Sequence, residues 1–422
     1  MSAEHDRREA DAGSGCPDRG PVGLVLLFGA MYFVQGIAEP SEGLIAQPVR
    51  SLLASWGRSA ADIATFAALL ALPWSCKPLY GLLSDFVPLC GTRRRSYLLL
   101  TTAITCLGLG YLYVAPPPHG SAGLLLLLLL LPTLGVAFSD VVIDALMVEQ
   151  GQPRGLTGTL QSAQWTAMYA GMIVAGQLGG FLCEHHQQHV AFLICAVVTF
   201  ATLVLTWFCV PERPRPREQS GLREALSGLG AAVQSRAVLS AALFVTLWSF
   251  NPFSTSVLYV YTTQELGLSE QYFGTTVSLL SVGAIAASLA YGTYCRRLSF
   301  LTLIHLSIVS GILSTLAYWG LCGRVSAAVV NVVVGFTYMT GNLVQFDMVA
   351  RVCPLNAAGT TFALLMGLTN LSVSVAGALG GWCYDSWTVA WGPTVAFNLL
   401  VLIGALTNAA CWLVVPLLKG RC

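Results

Sequence analysis

Charged residues are scarce in this sequence. Lys, Arg, Asp and Glu make up only 10% of the 422 residues, whereas soluble domains usually carry about 25%. Hydrophobic residues reach 55%, and the mean hydropathy is +0.70. This composition excludes an ordinary soluble domain and predicts an all-α polytopic protein embedded in a lipid bilayer.

Cysteine pairs of the metal or redox type are missing as well. The 13 cysteines are scattered, and none belongs to a C-x-x-C motif, so neither a zinc site nor a redox motif is expected. No cluster of His, Cys, Asp and Glu resembles a metal centre or a nucleophile set, which argues against an intramembrane enzyme; no cofactor and no metal are expected. A net charge of +1 gives no general attraction to nucleic acid.

Apolar runs long enough to cross a bilayer recur along the whole chain. A span takes about 20 apolar residues, and such runs begin near residues 21, 61, 96, 121, 161, 190, 238, 271, 299, 325, 359 and 391. They predict twelve transmembrane helices in two groups of six. The predicted organisation is a polar tail at 1–20, a bundle at 21–210 (the N-terminal half), a charged linker at 211–237, a bundle at 238–418 (the C-terminal half) and a tail at 419–422.

The distribution of basic residues predicts the orientation. With the N-terminus inside, the inner segments hold 17 Lys and Arg residues and the outer segments hold three. Because basic residues are retained on the cytoplasmic side, both termini and the linker are expected in the cytoplasm. A plasma membrane or a bacterial inner membrane is the expected location.

The two groups of six helices repeat each other. The stretch "GTLQSAQWTAMYAGMIVAGQLGG" at 158–180 aligns with "GTTFALLMGLTNLSVSVAGALGG" at 359–381, at a constant offset of 201 residues. Asp144 precedes the first stretch as Asp347 precedes the second. A six-plus-six repeat predicts the major facilitator fold, in which the substrate site lies between the halves near the midplane. The G-x-x-x-G glycines in both stretches predict close helix packing.

The loop between the second and third spans, "GLLSDFVPLCGTRRRSYL", resembles the loop signature of major facilitator transporters. Asp85 is expected to cap the N-terminus of a facing helix, where the helix dipole is positive. Three basic residues are expected to pair with carboxylates at cytoplasmic helix ends, of which Glu149 is the nearest by depth: Arg93, Arg94 and Arg95. These contacts would act as an inner gate, and simple membrane anchoring by the positive charges is the alternative.

Intramembrane charges mark the centre of the N-terminal half. Asp140 and Asp144 lie four residues apart on one face of the fourth span, and Lys77 lies at the same depth in the second span. Such groups are costly in a bilayer and pair with one another or face a watery cavity. One aspartate would neutralise Lys77, and the other would accept a proton or bind a ligand. The sequence does not say which aspartate does which, and a purely structural ion network is the alternative.

Further polar and aromatic residues share helix faces with these charges or flank Pro252, which predicts a break in the seventh span. The additional candidates for cavity lining are Gln35, Glu39, Gln161, Trp165, Tyr169, Trp248 and Asn251.

Six stretches together resemble the folate–biopterin transporters of the major facilitator superfamily. They are "YFVQGIAEP", "LPWSCKPLYGLLSDFVPLCGTRRRSYLLL", "SDVVIDALMVE", "LQSAQW", "LWSFNPFSTSVLYVYTTQELGLS" and "CPLNAAGTTFALLMGLTNLSVSVAGALGG". The resemblance implies proton-coupled uptake of folate, pterin or a related small organic solute, and it adds Asn342 and Asn370 to the candidate site residues. A carboxylate such as Asp140 or Asp144 would suit the adjacent N–H and NH₂ groups of a pterin, and Trp165, Tyr169 or Trp248 would stack on its ring.

Two other readings remain open at this stage. The chain could be a permease or exporter for another small solute, such as a peptidoglycan fragment or a drug. It could also be a sensor that keeps the transporter fold without transporting.

Overall fold

The computed structural model of the protein describes residues 20–210, 212, 230, 234–294, 297–353 and 358–418. Most of the predicted linker at 211–237 and both predicted tails lie outside the described residues. In the N-terminal half the helices are α1 (Pro21–Ala38), α2 (Ala46–Ser55), α3 (Ala60–Leu70), α4 (Leu72–Ser75), α5 (Lys77–Phe86), α6 (Arg95–Val114), α7 (Ala122–Gly151), α8 (Thr157–Glu184) and α9 (Val190–Cys209).

The C-terminal half is built in the same way. Its helices are α10 (Arg236–Ser249), α11 (Thr255–Val260), α12 (Glu270–Tyr294), α13 (Phe300–Leu316), α14 (Arg324–Val352), α15 (Ala358–Trp391), α16 (Pro393–Ala410) and α17 (Val415–Leu418). No strand is present in the described ranges, so the prediction of an all-α polytopic protein is confirmed.

Ten of the helical segments in the described residues are long and apolar enough to cross a membrane. The predicted second and seventh spans are instead assembled from shorter pieces. Pro73 and Pro78 accompany the breaks between α3, α4 and α5, and Pro252 lies between α10 and α11. Proline removes a backbone donor and clashes with the preceding turn, so these breaks follow directly from the sequence.

The two halves meet mainly along two helix pairs, α8 with α12 and α3 with α15, and α15 also contacts α4 and α5. We call the side on which α1 begins the inner side, which is the side predicted to be cytoplasmic, and the opposite side the outer side. Near the outer side α8 and α12 approach so closely that a Cβ atom at Gly274 would lie 2.1 Å from the carbonyl oxygen of Gly176. The predicted packing role of the glycines is therefore confirmed for this pair.

Candidate functional site

An ion pair lies at the start of α5, immediately after the break at Cys76. The ammonium Nζ of Lys77 is 2.6 Å from Oδ2 of Asp140 in α7. The Lys77 side chain is 19% exposed and that of Asp140 is 6% exposed, so the pair is largely removed from solvent. Nε2 of Gln35 donates to the other oxygen, Oδ1 of Asp140, at 2.7 Å. Both carboxylate oxygens of Asp140 are therefore occupied.

Asp144 lies one helical turn further along α7 and has a different environment. Its Oδ1 accepts hydrogen bonds from the hydroxyl of Tyr32 and from Nε2 of Gln164, the latter at 3.1 Å. Nε2 of Gln161 in turn donates to Oε1 of Gln164 at 3.2 Å. Among the described residues no lysine or arginine forms an ion pair with Asp144. The two aspartates that the sequence could not distinguish are thus chemically distinct.

Trp74 lies between Lys77 and Glu39, which follows the first span. The Lys77 ammonium lies 4.8 Å from the centroid of the Trp74 ring, and Nε1 of Trp74 donates to Oε1 of Glu39 at 3.1 Å. Glu39 also accepts from the backbone N–H groups of Ser41 and Glu42, at 2.9 and 2.5 Å. These contacts show that Glu39 caps the turn after α1 while it holds the indole beside Lys77.

The candidate aromatic residues of α8 face the other half. The Trp165 ring stacks on Phe346 of α14 with centroids 5.4 Å apart, and the Tyr169 hydroxyl donates to the sulfur of Met339 at 3.4 Å. The indole N–H of Trp165 has no acceptor in the described part of the chain. Asn370 of α15 reaches across as well, since its Nδ2 donates to the carbonyl oxygen of Trp74 at 3.1 Å.

Most candidates of the C-terminal half contact that half alone. Nε1 of Trp248 donates to the carbonyl oxygen of Ser307 at 3.2 Å, so its buried ring packs inside the half and is not presented for stacking. Nδ2 of Asn251 donates to Oγ1 of Thr315 at 2.9 Å beside the break at Pro252. Two further candidates lie on α14: Asn342, which is half-buried, and Asp347, which pairs with Arg351 at 2.9 Å. The structure does not bring these four residues to Lys77.

Side chains of the loop between the second and third spans, and Glu149 of α7, contact one arginine, Arg94. Its Nη2 is 2.6 Å from Oδ1 of Asp85 and 2.7 Å from Oε1 of Glu149, and its Nη1 is 2.8 Å from Oγ of Ser84. Burial opposes the charge of Arg94, but these carboxylates outweigh burial and the pKa of Arg94 is raised. The expected contact with Glu149 is present. In the described part of the chain the Asp85 carboxylate contacts Arg94, and no cap of a helix N-terminus by Asp85 is present there.

Glu212, which sequence reasoning missed, completes this loop. Its carboxylate accepts from the backbone N–H groups of Arg93, Arg94 and Arg95 at 2.8, 2.8 and 2.9 Å, at the N-terminus of α6. Arg95 also stacks its guanidinium over Trp207 at 5.1 Å. The sequence shows Glu212 only as an acidic residue next to the end of the sixth span. More than 110 residues separate Glu212 from the loop that it contacts, so no local pattern predicts this contact. No group of three or more His, Cys, Asp or Glu side chains in the described ranges could hold a metal ion.

Comparisons with known proteins agree with this architecture. The model of the BT1 family matches residues 35–419. The "Folate-biopterin transporter" of Synechocystis sp. is 30% identical over 411 residues, covering 92% of this chain and 80% of that protein. The "Probable folate-biopterin transporter 4" of Arabidopsis thaliana is 24% identical over 392 residues, covering 73% of this chain and 78% of that protein.

Solved transporter structures share the fold. The nucleoside transporter NupG superposes with a TM-score of 0.71 at 14% identity, covering 93% of this chain and 98% of that one. The D-xylose-proton symporter superposes with a TM-score of 0.67 at 17% identity, covering 95% and 99%. The predictions of a major facilitator fold and of a transporter, not an enzyme, are confirmed by these similarities. The chain belongs to the BT1 family and has the fold of a major facilitator transporter.

Proposed function

We propose that this membrane transporter takes up folate, a pterin or a related small organic solute together with protons, by alternating access. The names of its relatives support the substrate class. The observation that carries the proposed coupling is that two aspartates on one helix face have different partners. Asp140 is neutralised by Lys77, whereas Asp144 is held only by uncharged donors.

Asp144 is the proposed proton carrier. A largely buried carboxylate without an ion-pair partner of its own is stabilised by taking up a proton. In the outward-facing state a proton would bind Asp144, and in the inward-facing state it would leave to the cytoplasm, so that one proton enters per cycle. Asp140 is the partner of Lys77 and is not the proposed carrier, because Lys77 and Gln35 occupy both of its oxygens.

The same carboxyl group is placed to recognise the substrate. Oδ2 of Asp144 accepts no hydrogen bond within the described residues, so it is the oxygen proposed to take up the proton, and the resulting O–H would donate to a carbonyl oxygen or ring nitrogen of a bound pterin. Trp165 offers a ring face and an indole N–H without an acceptor. Because the protonated carboxyl is then the form that binds substrate, proton binding raises the affinity for substrate and substrate binding raises the affinity for the proton by the same factor. This reciprocity couples the two fluxes in the same direction.

The contacts between the halves support an arrangement in which the outer side is closed. Close backbone approaches between α8 and α12 and between α3 and α15 lie toward the outer ends of these helices, and α15 also approaches α4, where a Cβ atom at Gly367 would lie 2.7 Å from the carbonyl oxygen of Ser75. On the inner side the Arg94 cluster with Asp85 and Glu149 is the proposed gate, and it lies within the N-terminal half. Both termini are proposed to be cytoplasmic, in a plasma membrane or a bacterial inner membrane.

Uptake into proteoliposomes tests this function. Radiolabelled folate, a pterin, a nucleoside and a peptidoglycan fragment should be offered with and without an inward proton gradient. We expect accumulation of folate or the pterin only with the gradient. Asp144→Asn should lose this accumulation, and Asp347→Asn is its matched control, because Asp347 is a helix acid with its own arginine partner. Accumulation of another solute, efflux driven by the gradient, or no flux at all would each contradict the proposal, the last result favouring a sensor.

A further inference from the structure

Asp385, near the outer end of α15, reaches across to the N-terminal half. Its Oδ2 accepts the backbone N–H of Ala61, the second residue of α3, at 2.9 Å. Just below this bond, Gly381 faces α3 so closely that a Cβ atom there would lie 2.9 Å from the carbonyl oxygen of Ala60. A carboxylate of one half thus caps a helix of the other half.

Glu184, the last residue of α8, makes the same bond in the opposite direction. Its Oε2 accepts the backbone N–H of Gln271, the second residue of α12, at 3.1 Å. Here Gly180 provides the close approach, since a Cβ atom there would lie 2.9 Å from Cα of Gln271. This time the carboxylate belongs to the N-terminal half and the capped helix to the C-terminal half.

The two contacts are equivalent positions of the internal repeat. Asp385 follows Glu184 by 201 residues, which is the offset of the aligned glycine stretches. Gln271 follows Ala61 by 210 residues, and the same offset relates the two serines that precede these helices, Ser59 and Ser269. The repeat therefore preserves the positions of both partners of each bond. It does not preserve the residue types, since Asp385 corresponds to Glu184 and Gln271 corresponds to Ala61.

Each capped helix also carries a cap from its own half. Oγ of Ser59 accepts the N–H of Asp62 at 3.2 Å, and Oγ of Ser269 accepts the N–H of Tyr272 at 3.2 Å. The serine caps move with their helices and do not sense how the halves are arranged. The carboxylate caps exist only while the outer ends of the halves are together.

We propose that Asp385 and Glu184 are a symmetric pair of positioning residues that latch the outer side of the transporter shut by capping helices of the opposite half. Opening the outer side separates α15 from α3 and α8 from α12, and so breaks both caps in one movement. A carboxylate at a helix N-terminus is favoured by the unpaired N–H groups and by the helix dipole. Asp385 is half-buried and Glu184 is exposed, so the Asp385 cap is the stronger of the two.

Hydrogen–deuterium exchange of the full-length protein in lipid nanodiscs, without substrate, tests this inference. Asp385→Ala should raise the equilibrium constant for opening of the outer side about five-fold, the ratio that corresponds to the loss of one helix cap. Because the halves move as units, exchange should rise at residues 59–62 and also at residues 269–272, beside the intact cap. Asp385→Asn should restore much of the protection, since asparagine caps helices about as well as aspartate. Glu184→Ala should act in the same direction with a smaller effect.

The serine caps provide the matched control. Ser59→Ala removes a cap from the same helix end, so it should raise exchange at residues 59–62 and leave residues 269–272 unchanged. Faster exchange confined to the helix next to each substitution would overturn the latch, as would equal remote effects of Ser59→Ala and Asp385→Ala. The inference rests on the proposed alternating-access function, but this measurement needs neither substrate nor protons. A failed transport assay therefore leaves it standing, and a failed exchange experiment leaves the proposed coupling standing.

Discussion

Removing Lys77 should expose how strongly the ion pair supports the N-terminal half. In Lys77→Ala the Asp140 carboxylate stays buried and keeps only the neutral amide of Gln35 as a partner. Breaking one partner of a buried pair costs about 3–5 kcal/mol, because an uncompensated charge is left behind. For a chain of this size the midpoint of thermal unfolding should fall by about 3–6 °C. Transport should be lost as well.

The double variants identify the partner of Lys77. Lys77→Ala with Asp140→Asn removes the stranded charge and keeps an oxygen for Gln35, so it should recover more than half of the lost stability. Lys77→Ala with Asp144→Asn should recover much less, since Asp144 is not the paired acid. This comparison is matched, because each double variant neutralises one aspartate on the same face of α7.

A thiol-reactive fluorescent dye measures these midpoints in detergent, because Cys195 and Cys411 are buried and react only on unfolding. A Lys77→Ala protein as stable as the parent would refute the reasoning. Equal recovery in the two double variants would refute the assignment of Asp140 as the paired acid.

Three further predictions concern packing and the inner loop. Gly274→Ala places a methyl group 2.1 Å from the carbonyl oxygen of Gly176, so it should force the outer ends apart; spin-label distances across the outer side should lengthen, and unchanged distances would contradict the packing. Arg94→Lys keeps the charge but loses the planar guanidinium that bridges two carboxylates, so the midpoint of thermal unfolding should fall by about 2–4 °C. Glu149→Gln should lower this midpoint by less. Glu212→Ala strands three backbone N–H groups at the start of α6; amide exchange there should rise, and protection equal to that of the parent would show that this contact is dispensable.

The fold followed closely from the sequence. Apolar runs predicted the spans because a transmembrane helix needs about 20 apolar residues, and Pro73, Pro78 and Pro252 indicated helix breaks because proline destabilises a helix interior. The pairing of Lys77 with an aspartate was predictable from depth alone. These features depend on local sequence or on the position of a residue along one helix.

The details of the site depended on how helices rotate and on which neighbours they meet. Periodicity placed Asp140 and Asp144 on one face, but only the packing of α1 and α8 showed that Gln35 faces the first and Gln164 the second. Trp248 shared a helix face with polar residues, and yet its ring packs inside the C-terminal half. Glu212 contacts a loop more than 110 residues away, which no local pattern indicates.

The role of Asp144 as the proton carrier is the central claim. One set of proteoliposomes that contain the Asp144→Asn variant should be loaded with unlabelled substrate and given labelled substrate outside. A second, substrate-free set should be tested for uptake driven by a proton gradient. An asparagine cannot exchange a proton but still accepts hydrogen bonds from Tyr32 and Gln164. We therefore predict that exchange is retained and that proton-driven accumulation is abolished. Accumulation against a gradient with normal pH dependence in this variant would contradict the account.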